Sequence, residues 1–197
     1  EDLRATQRDM AAFALLPDIQ TLQIDIMDGI FVPRKTDFSA EEFLDVSSIA
    51  NIEVHLMVQH PQESLSDWLA HPSVVRVFMH YEAAAHHLSE LIQQVHDARK
   101  EIGIVLNPET PAKDLDPSSA QEVDVIMCMG IHPGKQGQDF LPGTREKLRE
   151  LQKTYPSKPL EVDGGVGIEN IVSLRDAGCT RVVLGSFLKE GASPEDQ

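Results

Sequence analysis

Three short apolar runs carry polar or ionisable residues at alternate positions: Gln23-Ile24-Asp25, Glu53-Val54-His55 and Glu161-Val162-Asp163. Alternate side chains of a β-strand share a face, so each run presents two polar groups on one side. Four carboxylates converging in a low-dielectric interior repel one another and lose hydration, which costs several kcal/mol for each unpaired ion. A bound divalent cation resolves the conflict. His55 with Asp25 and Asp163 makes a reasonable ligand set for Zn²⁺, Fe²⁺ or Mn²⁺. Glu53 and Glu161, two residues earlier in their strands, are expected at the opposite end, bonded to backbone or water. Glycines mark a second subsite. Gly164-Gly165 precedes a helical pattern and Gly185-Ser186 follows the last apolar run, the arrangement in which backbone N–H groups and a helix N-terminus hold phosphate. The loop Pro133-Gly134-Lys135-Gln136-Gly137-Gln138 is placed to close over the same site.

The elements that must position these groups alternate regularly. Strands are expected at Thr21 to Ile26, Ile52 to Met57, Val74 to His80, Ile102 to Asn107, Val123 to Met129, Leu160 to Asp163 and Arg181 to Leu184. Helical patterns lie before and between them: Glu1 to Leu16, Ser39 to Ser48, Pro61 to Trp68, Ala84 to Lys100, a weak turn after Pro111, Gly143 to Thr154 and Ile168 to Ala177. This alternation predicts an α/β protein with a parallel sheet. Polar residues gather at strand C-termini and must converge, which favours a (β/α)8 TIM barrel over an open sheet. With 197 residues and no linker, one domain over 1–197 is expected.

Composition narrows the partners. A net charge of −15 disfavours nucleic acid and anionic membranes, which would be repelled. No run is long enough to span a bilayer, and the charged opening Glu1-Asp2-Leu3-Arg4 is no secretory signal, so a cytoplasmic protein is expected. Cys128 and Cys179 form no CxxC pair and read as reduced, structural thiols.

In order along the chain, IDIMDGIFVP, VHLMVQHP, FMHYEA, GIVLNPETP, MGIHPGKQGQDF, LEVDGGVGIENI and AGCTRVVLGS resemble the ribulose-phosphate 3-epimerase family of the pentose phosphate pathway. The resemblance implies a metal-dependent, reversible inversion at C3 of a ketopentose 5-phosphate through an enediolate. It implies Asp25 and Asp163 as the acid/base pair that also touches the metal, and His55 as a metal ligand. It further implies Met27, Met57 and Met129 lining the reacting face, and phosphate contacts from Gly164, Gly165, Gly185 and Ser186, with Gly134, Gly137 and Lys135 in the closing loop. Inversion beside a ketone needs proton removal on one face and delivery on the other, so two flanking acid/base groups agree with the chemistry. Methionine sulfur is polarisable and does not ionise, so it can surround the intermediate without protonating it.

The chain departs from the family pattern at three places. Gln23 stands where the family's strand has histidine, so a glutamine oxygen becomes the fourth candidate ligand, and the ion is expected to be Zn²⁺, Fe²⁺, Mn²⁺ or Mg²⁺ with a shift toward Mn²⁺ or Mg²⁺. Lys135 and Gln136 replace an aromatic residue and a glycine of the loop. Set against the family pattern, the sequence is expected to lack the barrel's first strand and most of its last helix, which are neighbours in a closed barrel. The expected partner is a small sugar phosphate, with a homo-oligomer as a further expectation. Two other readings stay open: an epimerase of a hexulose 6-phosphate, and a non-catalytic sugar-phosphate binding protein. Of the remaining histidines, His80 near Glu82 stands closest to the site. The adjacent His86 and His87 face different ways on a helix and read as solvated, His60, His71 and His96 carry no site role, and His132 takes the place of the loop's usual asparagine.

Overall fold

The computed structural model describes Leu3 and residues 21–43, 50–135 and 137–185. Among the described residues, seven strands take their sequence order in one sheet: β1 (Thr21–Met27), β2 (Asn51–Met57), β3 (Val74–His80), β4 (Glu101–Leu106), β5 (Val125–Met129), β6 (Leu160–Asp163) and β7 (Arg181–Val183). The expected strands agree with these to within two residues at each end. The expected helices at 1–16 and beyond Phe43, together with Gln136 and Ser186, lie outside the described residues. The chain forms two compact units, Glu1–Gly103 and Ile104–Gln197.

In the first unit β1 pairs with β2 and β2 with β3, all parallel. Parallel strands covered on both faces need apolar side chains on both, and β2 and β3 are buried almost throughout. Val54, Leu56, Val77 and Phe78 are fully buried. Burying each such side chain stabilises the fold by roughly 1.5–3 kcal/mol. Helix α1 (Leu65–Ala70) follows a 3₁₀ turn at Pro61–Glu63. The long helix expected from Ala84 to Lys100 is instead two: α2 (Tyr81–Ala84) and α3 (Leu88–Asp97), with the adjacent His86-His87 in the break. In α3, Leu88, Leu91, Ile92 and Val95 form the buried stripe at helical spacing. Arg99, at φ 57°, ends the helix: its N–H bonds to the His96 carbonyl, and that of Lys100 to the Val95 carbonyl. That is a Schellman closure with arginine where glycine is usual. At Ser39, expected as an N-cap, Ser39 N–H donates to Glu42 Oε2 (3.0 Å) and Glu42 N–H to Ser39 Oγ (3.4 Å) across a turn at Ala40 to Glu42, while the helix expected to follow lies outside the described residues beyond Phe43.

In the second unit β5, β6 and β7 pair in parallel. Helix α4 (Pro117–Glu122) was not expected from the apolar pattern, because only Ser119 and Ala120 are buried. Its start signal is nevertheless present: Asp116 accepts from Ser119 N–H at 2.9 Å and Pro117 occupies the first turn. Helix α5 (Gly143–Thr154) has the expected bounds, and α6 (Ile171–Asp176) begins three residues later than expected.

Candidate active site

In the first unit, strand register assembles the polar face. Gln23 lies opposite Glu53, Asp25 opposite His55 and Met27 opposite Met57. His55 is fully buried, and its Nδ1 lies 3.4 Å from Oδ1 of Asp25, whose side chain is 26% exposed. Gln23 Nε2 donates to the same Asp25 Oδ1 at 3.1 Å. Gln23 therefore braces the carboxylate with its amide nitrogen. On the other side, His55 Nε2 meets Nε2 of His80 at 2.9 Å, the two rings stacked with centroids 5.0 Å apart. His80 is also fully buried, with its Nδ1 3.5 Å from Glu82 Oε2 and the Phe31 ring 4.6 Å from its own.

The end of β1 is tied down by two residues the sequence reading did not single out. Thr36 Oγ1 donates to the Asp25 carbonyl and accepts from Met27 N–H, each at 3.0 Å, and Thr36 N–H bonds to the Met27 carbonyl at 2.9 Å. Asp28 accepts from the N–H groups of Ile30 (2.8 Å), Phe31 (2.8 Å) and Gln59 (2.7 Å). Burial opposes ionisation of Asp28, but the Gln59, Ile30 and Phe31 N–H groups outweigh it and hold its carboxyl below the usual value. Together these bonds fix the loop that carries Phe31 and Val32 against Met27 and Met57. Glu53 has the structural role expected of it, with a different partner: it is ion-paired with the buried Arg76, which also bonds Glu101 (Nε to Oε2, 2.8 Å).

In the second unit, register sets Met129 opposite Asp163 and Met127 opposite Glu161. Gly130 N–H bonds to the Asp163 carbonyl at 2.7 Å. This contact is possible only without side chains, since a Cβ on Gly130 would lie 2.1 Å from the Gly164 carbonyl oxygen. Gly164 and Gly165 turn the chain with φ values of 98° and 66°. Asn170 secures that turn, donating from Nδ2 to the Gly165 carbonyl (2.7 Å) and accepting from Gly167 N–H (3.0 Å). Asn170 was also missed; its signal is an amide just before a helix and five residues after a Gly-Gly pair. In the loop after β5, Gly134 and Gly137 have φ of 93° and 75°. Gln138 Nε2 draws the loop together by donating to the carbonyls of His132 (2.7 Å) and Lys135 (2.6 Å). His132 faces Glu109 at 3.1 Å, and Lys135 is exposed. Gly185 follows β7 in a bend.

A parallel βα chain with polar residues and paired glycines at its strand C-termini defines a TIM-barrel-type α/β protein. The fold agrees with the tryptophan synthase A-subunit from Pyrococcus furiosus, which matches with a TM-score of 0.70 over 96% of this chain and 86% of that one, at 17% identity. The chain belongs to the ribulose-phosphate 3-epimerase family, whose model matches residues 2–188, and thus to a family of isomerases. It is 32% identical over 186 residues to the ribulose-phosphate 3-epimerase of Schizosaccharomyces pombe, covering 89% of this chain and 77% of that protein. It is 35% identical over 176 residues to the cytoplasmic isoform of Oryza sativa, covering 88% and 77%. Among the described residues no helix is long and apolar enough to cross a membrane.

Proposed function

We propose that this chain, as a single ribulose-phosphate-binding barrel domain, catalyses the reversible C3 epimerisation of D-ribulose 5-phosphate and D-xylulose 5-phosphate. The observation that carries the reading is the presence of Asp25, His55 and Asp163 at or near the C-terminal ends of β1, β2 and β6 in a member of this family. In the reaction one aspartate takes the C3 proton and the other returns a proton to the opposite face, so that the carbon inverts. The Gln23 amide keeps the Asp25 carboxylate oriented for its part. Met27, Met57 and Met129 offer an apolar, non-titrating wall to the developing enediolate. Backbone N–H groups at Gly164, Gly165, Gly185 and Ser186 hold the phosphate, with Gly134, Gly137 and Lys135 closing over it.

The donor chemistry fits one divalent metal: two carboxylates and an imidazole, from Asp25, Asp163 and His55, suit Zn²⁺, Fe²⁺ or Mn²⁺. The ion, when bound, supplies a Lewis acid that lowers the cost of negative charge on the substrate's oxygens. Gln23, with its amide nitrogen toward Asp25, serves this site as a brace, and it becomes a ligand only if the amide turns over. The test is incubation of purified protein with ribulose 5-phosphate and Mn²⁺, Fe²⁺ or Zn²⁺. Xylulose 5-phosphate is the expected product, and Asp163→Asn abolishes turnover while the circular dichroism spectrum stays unchanged. A protein that forms no xylulose 5-phosphate with any of these ions overturns the reading.

A further inference from the structure

Two consecutive glycines form the turn after β6, Gly164 at φ 98° and Gly165 at φ 66°. Glycine enters positive and negative φ about equally readily, so the two residues do not hold this geometry by themselves. Their neighbours must. Ile131 packs against Gly164, where an added Cβ would lie 2.3 Å from Ile131 Cγ1, and Phe140 packs against Gly165, where an added Cβ would lie 3.0 Å from Phe140 Cα. The Phe140 ring also covers Gly130 just past β5, since a Cβ there would lie 3.0 Å from its Cε2. Phe140 is thus wedged against two strand-end turns at once.

Phe140 is itself held from outside. The Arg145 guanidinium stands over its ring, with Cζ 5.2 Å from the centroid. From the first turn of α5, Arg145 Nε donates to Ser173 Oγ on α6 at 3.0 Å. Ser173 Oγ donates in turn to the Asn170 carbonyl at 2.8 Å, and Asn170 Nδ2 donates to the Gly165 carbonyl at 2.7 Å. A hydroxyl has one proton to give and lone pairs to accept with, so Ser173 serves both neighbours together. The contacts close into a ring: Gly165, Phe140, Arg145, Ser173, Asn170 and Gly165 again. Arginine suits its place there, because a planar cation can lie over an aromatic face while one N–H points along its edge to a hydroxyl.

We infer that Arg145, Phe140 and Ser173 are positioning residues that set the phosphate affinity of the Gly164–Gly165 turn. They act through the backbone. A turn already fixed at positive φ presents its N–H groups without further ordering, whereas a loosened turn must be ordered as the anion binds, which weakens binding. The inference rests on the proposed phosphate contacts of these two glycines.

The test follows the Gly164 and Gly165 amide resonances of ¹⁵N-labelled protein as inorganic phosphate is added. Wild type is compared with Arg145→Met, Arg145→Lys, Ser173→Ala, Phe140→Leu and the double variant Arg145→Met/Phe140→Leu. Both amides are expected to shift and saturate in the wild type. Arg145→Met is expected to weaken phosphate binding about 2- to 5-fold, the factor that an exposed cation–π contact carries. Ser173→Ala moves it in the same direction, and Arg145→Lys, which keeps a cation for the ring, recovers part of the loss. Phe140→Leu leaves an apolar side chain on Gly165 and removes the aromatic face. The double variant is therefore expected to bind about as weakly as the weaker single variant, because both changes break one contact. With ribulose 5-phosphate as substrate, KM in Arg145→Met rises more than kcat falls. Phosphate affinity unchanged in both Arg145→Met and Ser173→Ala overturns the inference, as do fully additive losses in the double variant. Wild-type Gly164 and Gly165 amides that do not respond to phosphate refute the phosphate contacts and the inference with them. Binding that weakens as expected in a protein that forms no xylulose 5-phosphate leaves the inference supported and refutes the proposed reaction instead.

Discussion

Replacing Arg76 separates the structural acid on β2 from His55, the proposed metal ligand two residues later. Arg76 and Glu53 form an ion pair whose side chains are only 8% and 10% exposed, while the second partner of Arg76, Glu101, is 53% exposed. Arg76→Met keeps most of the side-chain volume and leaves Glu53 with its charge in a desolvated position. Breaking a buried pair from one side costs about 3–5 kcal/mol. For a protein of this size each kcal/mol lowers Tm by about 2–4 °C, so a fall of roughly 6–20 °C follows. The double variant Arg76→Met/Glu53→Leu removes the orphaned charge and is expected to regain most of the loss, since a well-packed apolar pair often matches a buried ion pair. Urea unfolding of the wild type, both single variants and the double variant gives the coupling energy directly. Turnover per folded molecule is expected to stay close to wild type in the double variant. A loss under about 1 kcal/mol for Arg76→Met contradicts the buried-pair argument. Loss of metal binding in Glu53→Leu would refute the placement of Glu53 outside the site.

Other outcomes follow from the same contacts. Because the Asp28 carboxyl is held below its ordinary value of 3.8, its charge adds stability above that pH and loses it as pH falls below 3.8. The stability gap between wild type and Asp28→Asn in urea unfolding is therefore expected to shrink on acidification. A gap that widened there would reverse the sign. Burial pushes the Cys128 thiol up to about 12 and the Cys179 thiol to about 11, so both resist iodoacetamide at neutral pH until the protein is unfolded. Mass spectrometry of native and urea-treated samples reads this. Gly164→Ala forces a side chain into φ 98° with its Cβ 2.3 Å from Ile131 Cγ1. A stability loss of about 1–3 kcal/mol is expected, with KM for the sugar phosphate rising more than kcat falls.

Strand positions were legible in the sequence because alternation of apolar and polar residues is a local signal, and Gln23, Asp25 and His55 take the register that alternation implies. The bounds of α5 were equally plain. The break between α2 and α3 was not, because apolar spacing continues across Ala85 to His87 and the interruption carries no proline or glycine. Arg99 at positive φ hid the end of α3 for the same reason, since nothing in an arginine announces a left-handed turn. Within the site, a sequence names the groups but not their partners. Glu53 was expected to meet backbone or water, and Arg76 reaches it from the neighbouring strand. The brace Thr36 acts through a main-chain carbonyl and N–H groups far along the chain, which its residue type does not announce, whereas the position of Asn170 before a helix and after a Gly-Gly pair is a local signal. The orientation of the Gln23 amide toward Asp25 likewise depends on geometry that spacing cannot supply.

Asp25 and Asp163 are proposed to exchange the C3 proton of a ketopentose 5-phosphate at a metal-assisted site. Ribulose 5-phosphate incubated in D₂O with Mn²⁺-loaded wild-type protein tests it most directly, by NMR of C3. Deuterium is expected at C3 as xylulose 5-phosphate accumulates, and both are expected to be lost in Asp25→Asn, in Asp163→Asn and after chelation. Conversion without deuterium at C3, or exchange undiminished in both aspartate variants, would contradict it.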